Sequence, residues 1–246
     1  MPATHKTIVK IKNLSKSFGD LKLFDKINLD IKEGEIVTLI GFSGCGKSTL
    51  LKMIAGLEDP SSGTIELNKV CKLGMAFQFS ALFDSLTIAE NIAFPLIVGE
   101  NLEKVYSEEE LKALVKERLS LVGLPGIEDQ YPSELSGGMK KRISFARAVV
   151  DNPGLVLYDE PTAGLDPVAS TIVEDLILKL QKEVKASAIL VTHQFSTIRR
   201  ASDRVIMIHD KHIVWEGTPD ELFSSDDPYA KQFREGNPNG PMQVQH

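Results

Sequence analysis

The sequence predicts an α/β fold built around a parallel sheet, and three observations carry the prediction. Ile36–Ile40 is an almost wholly apolar run, with Thr38 its one polar residue, as expected of a strand covered on both faces, and it passes straight into the glycine-rich loop Gly41 to Thr49. Leu155 to Tyr158 is a second such run and ends in two adjacent acids, Asp159 and Glu160. Helical and strand-like stretches then alternate to about residue 208, the pattern of crossover units.

Each element has its own local signal. Ile8 to Leu14 alternates in polarity, and Phe24 to Ile31 leads into the turn Lys32-Glu33-Gly34-Glu35, so the first part reads as short strands joined by turns. Past the glycine loop, Ser48 opens a helix with Leu50, Leu51, Ile54 and Ala55 on its apolar side, and a short strand, Gly74 to Phe77, leads to Gln78. From about Leu82 to Val150 the pattern is helical. Ser107 and Glu110 form a capping box; Leu111, Leu114, Val115, Leu119 and Val122 recur at helical spacing; and Gly123 with Pro125 stops the segment. This stretch reads as a helical insertion into the α/β core. The core resumes with Leu155 to Tyr158, a helix over Pro167 to Val184, and strands over Ala188 to Thr192 and Arg204 to Ile208. Beyond Asp226 the chain turns polar, with three prolines, and reads as an extended tail.

Composition narrows the function classes. With 246 residues, 42% hydrophobic and 25% charged, the chain can form one sizeable core or two closely joined lobes. A net charge of -6 argues against nucleic acid as a partner, because binding to phosphate backbones needs clustered Lys and Arg. Lys140, Lys141 and Arg142 form the tightest basic cluster and read as a solvated helix face. Two cysteines, Cys45 and Cys71, are too few for a disulfide framework and fit a reducing compartment. No N-terminal stretch has a signal peptide's charged start and apolar middle. The most apolar runs, Ile36 to Phe42 and Ile92 to Val98, fall far short of the roughly 18 residues of a membrane span, so a membrane role is expected to come through a partner.

The chemistry lies in a few motifs. Gly41, Phe42, Ser43, Gly44, Cys45, Gly46, Lys47, Ser48 and Thr49 fit the phosphate-loop pattern G-x-x-x-x-G-K-[ST]. The glycines let the backbone fold into a nest of N–H groups around phosphates, Lys47 reaches the β and γ oxygens, and the Ser48 hydroxyl ligates Mg²⁺. Asp159, at the end of its strand, can hold Mg²⁺ directly or through water, and Glu160 can polarise a water for in-line attack on the γ-phosphorus. His193 follows the apolar run Ile189 to Val191. It reads either as a turn residue or, at the carboxyl edge where open α/β sheets bind ligands, as a hydrogen-bond donor to the γ-phosphate or the attacking water. Gln78 reads as a buried amide or as a group that touches Mg²⁺ and senses the nucleotide. Leu135-Ser136-Gly137-Gly138-Met139 is a second glycine-rich turn opening a helix, with its own backbone N–H groups for a phosphate. Two such turns in one chain suggest two chains sharing each nucleotide.

With these motifs in this order, the chain resembles the nucleotide-binding subunit of ABC transporters over about residues 6 to 223, leaving 224 to 246 as a C-terminal tail. The resemblance rests on Phe18, the loop Gly41 to Thr49, Gln78, the signature Leu135 to Met139, Asp159 with Glu160, Gly164-Leu165-Asp166, and His193. It implies a P-loop NTPase core with a small antiparallel β lobe and an inserted helical subdomain at about 82 to 150. It implies ATP and Mg²⁺ as cofactors, the ion on Ser48, Gln78 and Asp159, and Phe18 stacked on adenine. Lys47, Glu160 and His193 would be catalytic, with Glu160 the general base. Ser136, Gly137 and Gly138 of one subunit would contact the γ-phosphate held by Lys47 of the other, with Asp166 also at the nucleotide. Met139 stands where glutamine is usual and Phe18 where tyrosine is usual; stacking needs only a ring. Cys45 lends its backbone to the nest, and its side chain reads as incidental. Only Leu50 to Phe77 separates the loop from Gln78, short for the family, which bears on the small β lobe.

Three stretches are similar to the ATPases of MCE-type (mammalian-cell-entry) lipid transporters. They are Phe77 to Phe83 with Asn91 to Leu96; Pro132-Ser133-Glu134 with Met139; and the tail residues Asp227, Pro228, Phe233, Gly236, Gly240 and Pro241. The resemblance implies a homodimer of ATPases bound to an integral-membrane permease dimer at the cytoplasmic face of the bacterial inner membrane, moving phospholipid between membranes. Phe83 and the helical insertion would form the groove for a cytoplasmic helix of the permease, and an MCE-domain substrate-binding protein and a small regulatory subunit are further implied partners. An amino-acid or other small-solute importer would use the same chemistry. A soluble ABC ATPase working on DNA or ribosomes would need long coiled coils or two cassettes, and a small-molecule P-loop kinase would not need the signature turn.

Overall fold

The computed structural model describes residues 6–68, 71–98 and 105–243. The chain begins with β1 (Thr7–Phe18), β2 (Leu21–Lys32), β3 (Ile36–Ile40), α1 (Lys47–Ile54), β4 (Ser62–Leu67) and β5 (Leu73–Ala76). There follow α2 (Ile88–Ile97), α3 (Glu108–Leu121), a 3-10 turn at Pro132–Glu134, α4 (Gly137–Ala148), β6 (Leu155–Asp159) and α5 (Pro167–Val184). The last part holds β7 (Ser187–Val191), α6 (Phe195–Ala201), β8 (Arg204–His209), β9 (His212–Gly217), α7 (Pro219–Ser224) and α8 (Pro228–Glu235). These form two compact units, Met1–Cys71 with Ser187–His246, and Lys72–Ala186. The second is wider than the helical insertion expected at about 82 to 150. Parts of that insertion (99–104) and of the tail (244–246) lie outside the described residues.

In the first unit β1 is the centre of an antiparallel sheet, pairing Val9 with Ile31 of β2 and Ile11 with Ile65 of β4. The six residues of β4 complete the small lobe despite the short segment before Gln78. β3 runs parallel to both β7 and β8, and β3 and β7 are buried at all five positions, which is why they are apolar except for Thr38 and Ser187. β9 returns antiparallel on β8 through Asp210 and Lys211, both at positive φ. Arg204, opening β8, is bidentate to Glu35 at 2.7 and 2.9 Å, fixing the start of β8 to the residue before β3.

The C-terminal tail corrects the sequence reading. Asp227 accepts from the N–H groups of Tyr229 and Ala230, Pro228 takes the first helical position, and Gly236 closes α8 in the left-handed conformation. The following segment folds back: the Gln232 amide donates to the Met242 carbonyl and accepts from the Met242 N–H, both at 2.7 Å. Met242 is buried in one core with Ile40, Ile198, Val205, Met207, Leu222 and Ala230. The proline-rich composition reflects a helix cap and a compact return.

In the second unit β5 and β6 pair in parallel, Ala76 opposite Tyr158. A Cβ on Gly74 would sit 1.9 Å from the Ala148 carbonyl oxygen, so glycine is what lets the end of α4 meet β5. Capping boxes start α2 (Thr87 with Glu90) and α3 (Ser107 with Glu110), each cap contributing about 1 kcal/mol. Among the described residues no helix is long and apolar enough to cross a membrane.

Candidate nucleotide site

The phosphate loop belongs to the first unit, and its shape follows from what surrounds it. Leu39 of β3 lies opposite Val191 of β7, so Gly41 and His193, each two residues further on, leave the same strand edge at matching positions. Gly41 has φ +145°, and a Cβ there would be 2.3 Å from the Ile208 carbonyl oxygen; Gly46 has φ +103°, with a Cβ 2.5 Å from the Phe24 ring. A side chain at either position would break the nest. The Lys47 ammonium is buried and donates to the carbonyls of Gly41 (2.8 Å) and Phe42 (3.0 Å), so it lies folded within its own loop. Ser48 and Thr49 sit in the first turn of α1, which has neither a side-chain cap nor an acidic residue, leaving the positive end of the helix for an anion.

Three further residues of this unit were expected at the nucleotide. Phe18 is 46% exposed, with the Lys16 ammonium 4.5 Å from its ring centroid, a ring surface suited to a base. His193 is exposed and shares a cavity with Phe42, Phe195, Phe233 and the returning tail at Gly236 to Gly240, a wall with no counterpart in the sequence reading. Burial pushes the Cys45 thiol up, against the pull of Lys47, so it stays protonated near neutral pH, in keeping with an incidental side chain.

The second unit carries the remaining site residues. Ala76 lies opposite Tyr158, so Gln78 and Glu160, two residues further on, also leave matching positions of one strand edge. Asp159 is buried at the end of β6. Glu160 has φ +47°, a left-handed backbone that costs a non-glycine residue about 1 kcal/mol or more and is typical of functional positions. Ser136 caps α4, its hydroxyl accepting from the Met139 N–H at 3.3 Å, and is exposed together with Gly137. Among the described residues a Cβ on Gly137 or Gly138 would meet nothing within 4 Å, and neither has a positive φ. Asp166 caps α5, accepting at 2.9 Å from the N–H groups of both Val168 and Ala169.

The basic cluster on α4 differs from the solvated face predicted for it. Lys141 donates to the carbonyls of Pro161 (3.0 Å) and Ala163 (2.5 Å), and Arg142 to that of Val122 (3.3 Å). Burial pulls the Lys141 ammonium below its ordinary range and the Glu160 charge raises it. The signal was available in the spacing: Lys141 precedes buried Phe145 and Ala148 by four and seven residues, which places it on their face of the helix. Arg147, six residues past Lys141 on the same helix, donates at 2.8 Å to the carbonyls of both Ser80 and Ala81, whose φ values are +62° and +46°. Desolvation lowers its pKa. Buried Asn91 donates to the carbonyls of Phe83, Leu86 and Thr87 and accepts from the Phe83 N–H, closing the loop after Gln78.

The candidate Mg²⁺ donors, Ser48, Gln78 and Asp159, are a hydroxyl, an amide and one carboxylate. This is the oxygen chemistry magnesium accepts when phosphates and water supply its other ligands.

Residues 24–163 match the family described as "ABC transporter". The chain is 39% identical to TRIGALACTOSYLDIACYLGLYCEROL 3, a chloroplastic protein of Arabidopsis thaliana, covering 96% of this chain and 75% of that one. It is 34% identical to the intermembrane phospholipid transport system ATP-binding protein MlaF of Haemophilus influenzae, covering 98% and 96%. A solved dimer of the ATP-binding cassette MJ0796, in a post-hydrolysis state with ADP and Pi, superposes with a TM-score of 0.76 at 32% identity over 86% of this chain and 99% of that one. A phosphate loop shaped by its own neighbours, register-matched residues beyond parallel strands and a signature turn opening α4 are thus the parts of an ATP-hydrolysing cassette, and the chain belongs to the ABC transporter ATPase family.

Proposed function

We propose that two copies of this chain close on two ATP molecules, each held by the phosphate loop of one copy and the signature turn of the other, and that hydrolysis powers phospholipid movement through a membrane permease. The observation that carries the shared site is the open surface over Gly137 and Gly138, glycines that their own fold does not require. Lys47 gives up the Gly41 and Phe42 carbonyls for the β and γ oxygens, Phe18 stacks on adenine, and His193 donates to the γ-phosphate. Glu160 takes the proton of the attacking water, and the N–H groups at Gly137 and Gly138 of the second copy meet the γ-phosphate as its charge is redistributed. Ser48, Asp159 and Gln78 would hold Mg²⁺, which would supply positive charge against the phosphates.

The cargo reading is supported by likeness to a phospholipid transport ATPase over nearly the full length of both chains. The permease reading is supported by apolar surface in the second unit, where Phe79 is 88% and Phe83 42% exposed. Phe83 and α2 would receive a permease helix at the cytoplasmic face of the bacterial inner membrane, with an MCE-domain protein and a small regulatory subunit in the same assembly. Glu160→Gln tests the chemistry: ATP binding is retained, turnover falls at least ~100-fold, and ATP drives the protein into a dimer on sizing. A variant that hydrolyses normally, or stays monomeric with ATP, refutes the shared site. Copurification with the permease and reconstitution in liposomes tests the cargo; transport of an amino acid without phospholipid transfer would sink that part alone.

A further inference from the structure

The tight turn after Glu160 is held from outside. The Ala163 N–H donates to the Glu160 carbonyl at 3.1 Å, closing the turn Glu160-Pro161-Thr162-Ala163, and Thr162 inside it is fully buried. The two other outward carbonyls, those of Pro161 and Ala163, both accept from Lys141. Lys141 stands on α4, little more than one helical turn past the signature residues Ser136, Gly137 and Gly138. Its half-buried ammonium is close enough to interact with the Glu160 charge. Glu160 itself keeps a left-handed backbone, a conformation that persists only where its surroundings over-determine it.

We infer that Lys141 is the positioning residue for the hydrolytic step: it clamps the turn that aims Glu160, and so ties the base of one ATP site to the signature helix that serves the other. The inference rests on the reading of Glu160 as general base. It assigns to Lys141 no contact with nucleotide. Removing the clamp frees the turn to relax from the strained conformation and swings the carboxylate off the water, while the phosphate loop of the first unit is untouched. Turnover should therefore fall without loss of ATP affinity. Because Lys141 acts only through Glu160, its loss should add nothing once the carboxylate is gone.

The test measures steady-state turnover at saturating ATP and equilibrium ATP binding for the full chain and for Lys141→Met, Lys141→Arg, Glu160→Gln and the Lys141→Met/Glu160→Gln double variant. Lys141→Met is expected to lose at least ~10-fold in kcat, with ATP Kd within about twofold, the scale on which small misplacement of a reacting group acts. Lys141→Arg, which keeps a cation able to donate to two carbonyls, recovers at least about a third of wild-type turnover. In the Glu160→Gln background the added Lys141→Met changes residual turnover by less than about twofold. Turnover of Lys141→Met within twofold of wild type overturns the inference, as does a full repeat of its loss in the Glu160→Gln background, or a parallel loss of ATP binding. Should Lys141→Met not fold, Lys141→Gln takes its place under the same thresholds. Wild-type turnover by Glu160→Gln alone refutes the base assignment, a result separate from any failure of Lys141.

Discussion

The two glycine-rich turns that open α1 and α4 have their glycines for opposite reasons. In the phosphate loop the fold itself demands them: at Gly41 and Gly46 the backbone is left-handed or close to it, and a Cβ would run into the Ile208 carbonyl or the Phe24 ring. In the signature turn the backbone is ordinary and the space over Gly137 and Gly138 is open among the described residues. The first turn is shaped from within before any ligand arrives. The second is kept bare for something that comes from outside. Similar motifs thus report two physical facts, a local strain in one place and open space in the other, which the proposed function fills with a second copy.

The sharpest way to break this comparison is to place a methyl group in each turn. Gly46→Ala should lower stability by about 3 kcal/mol, from the left-handed backbone and the clash with Phe24 together, and abolish ATP binding; urea unfolding and nucleotide titration read both. Gly138→Ala should leave stability unchanged or raise it by up to about 1 kcal/mol, alanine being the better helix former, and leave ATP binding intact. Its turnover should nevertheless drop about tenfold or more, because the Cβ stands where the second copy's phosphate approaches. A Gly138→Ala variant that unfolds early, or that hydrolyses normally, would remove the distinction.

Ser136→Ala gives a smaller and mixed effect. Loss of the α4 cap costs about 1 kcal/mol, seen as a melting temperature a few degrees lower, with a fall in turnover beyond what reduced folding explains. Cys45→Ala should do least. Its burial-raised thiol is protonated at neutral pH, so turnover stays within about twofold and peroxide inactivates variant and wild type at the same rate. Selective protection by Cys45→Ala would instead make the loop a redox-sensitive element.

Much of this was legible in the chain. Ile36–Ile40 and Pro167–Val184 fall on the residues their patterns indicated, and the capping boxes at Ser107 and, unremarked, at Thr87 are local matches of two side chains. β9 has no such signal because none of its residues is fully buried and its hairpin turn, Asp210-Lys211, lacks the glycine that marks such turns. The tail escaped for another reason. Its burial depends on one amide, Gln232, matching both backbone groups of a residue ten positions away. The charge of Lys141 points to solvent, while its position on the face shared with Phe145 and Ala148 sets it against backbone carbonyls.

The sequence by itself determined the family and its motifs: which residues form the phosphate-loop pattern, which acids end a buried strand, and where a second glycine turn opens a helix. These are short-range patterns, in which the groups that must cooperate are close along the chain or are tied to it by the period of a strand or helix. Only the tertiary structure decided why the fold requires the phosphate-loop glycines and does not require those of the signature turn, what the Lys141 ammonium holds, and that the tail is part of the core. Each of those depends on atoms that folding brings together from ten to well over a hundred residues away, and no local period names those partners.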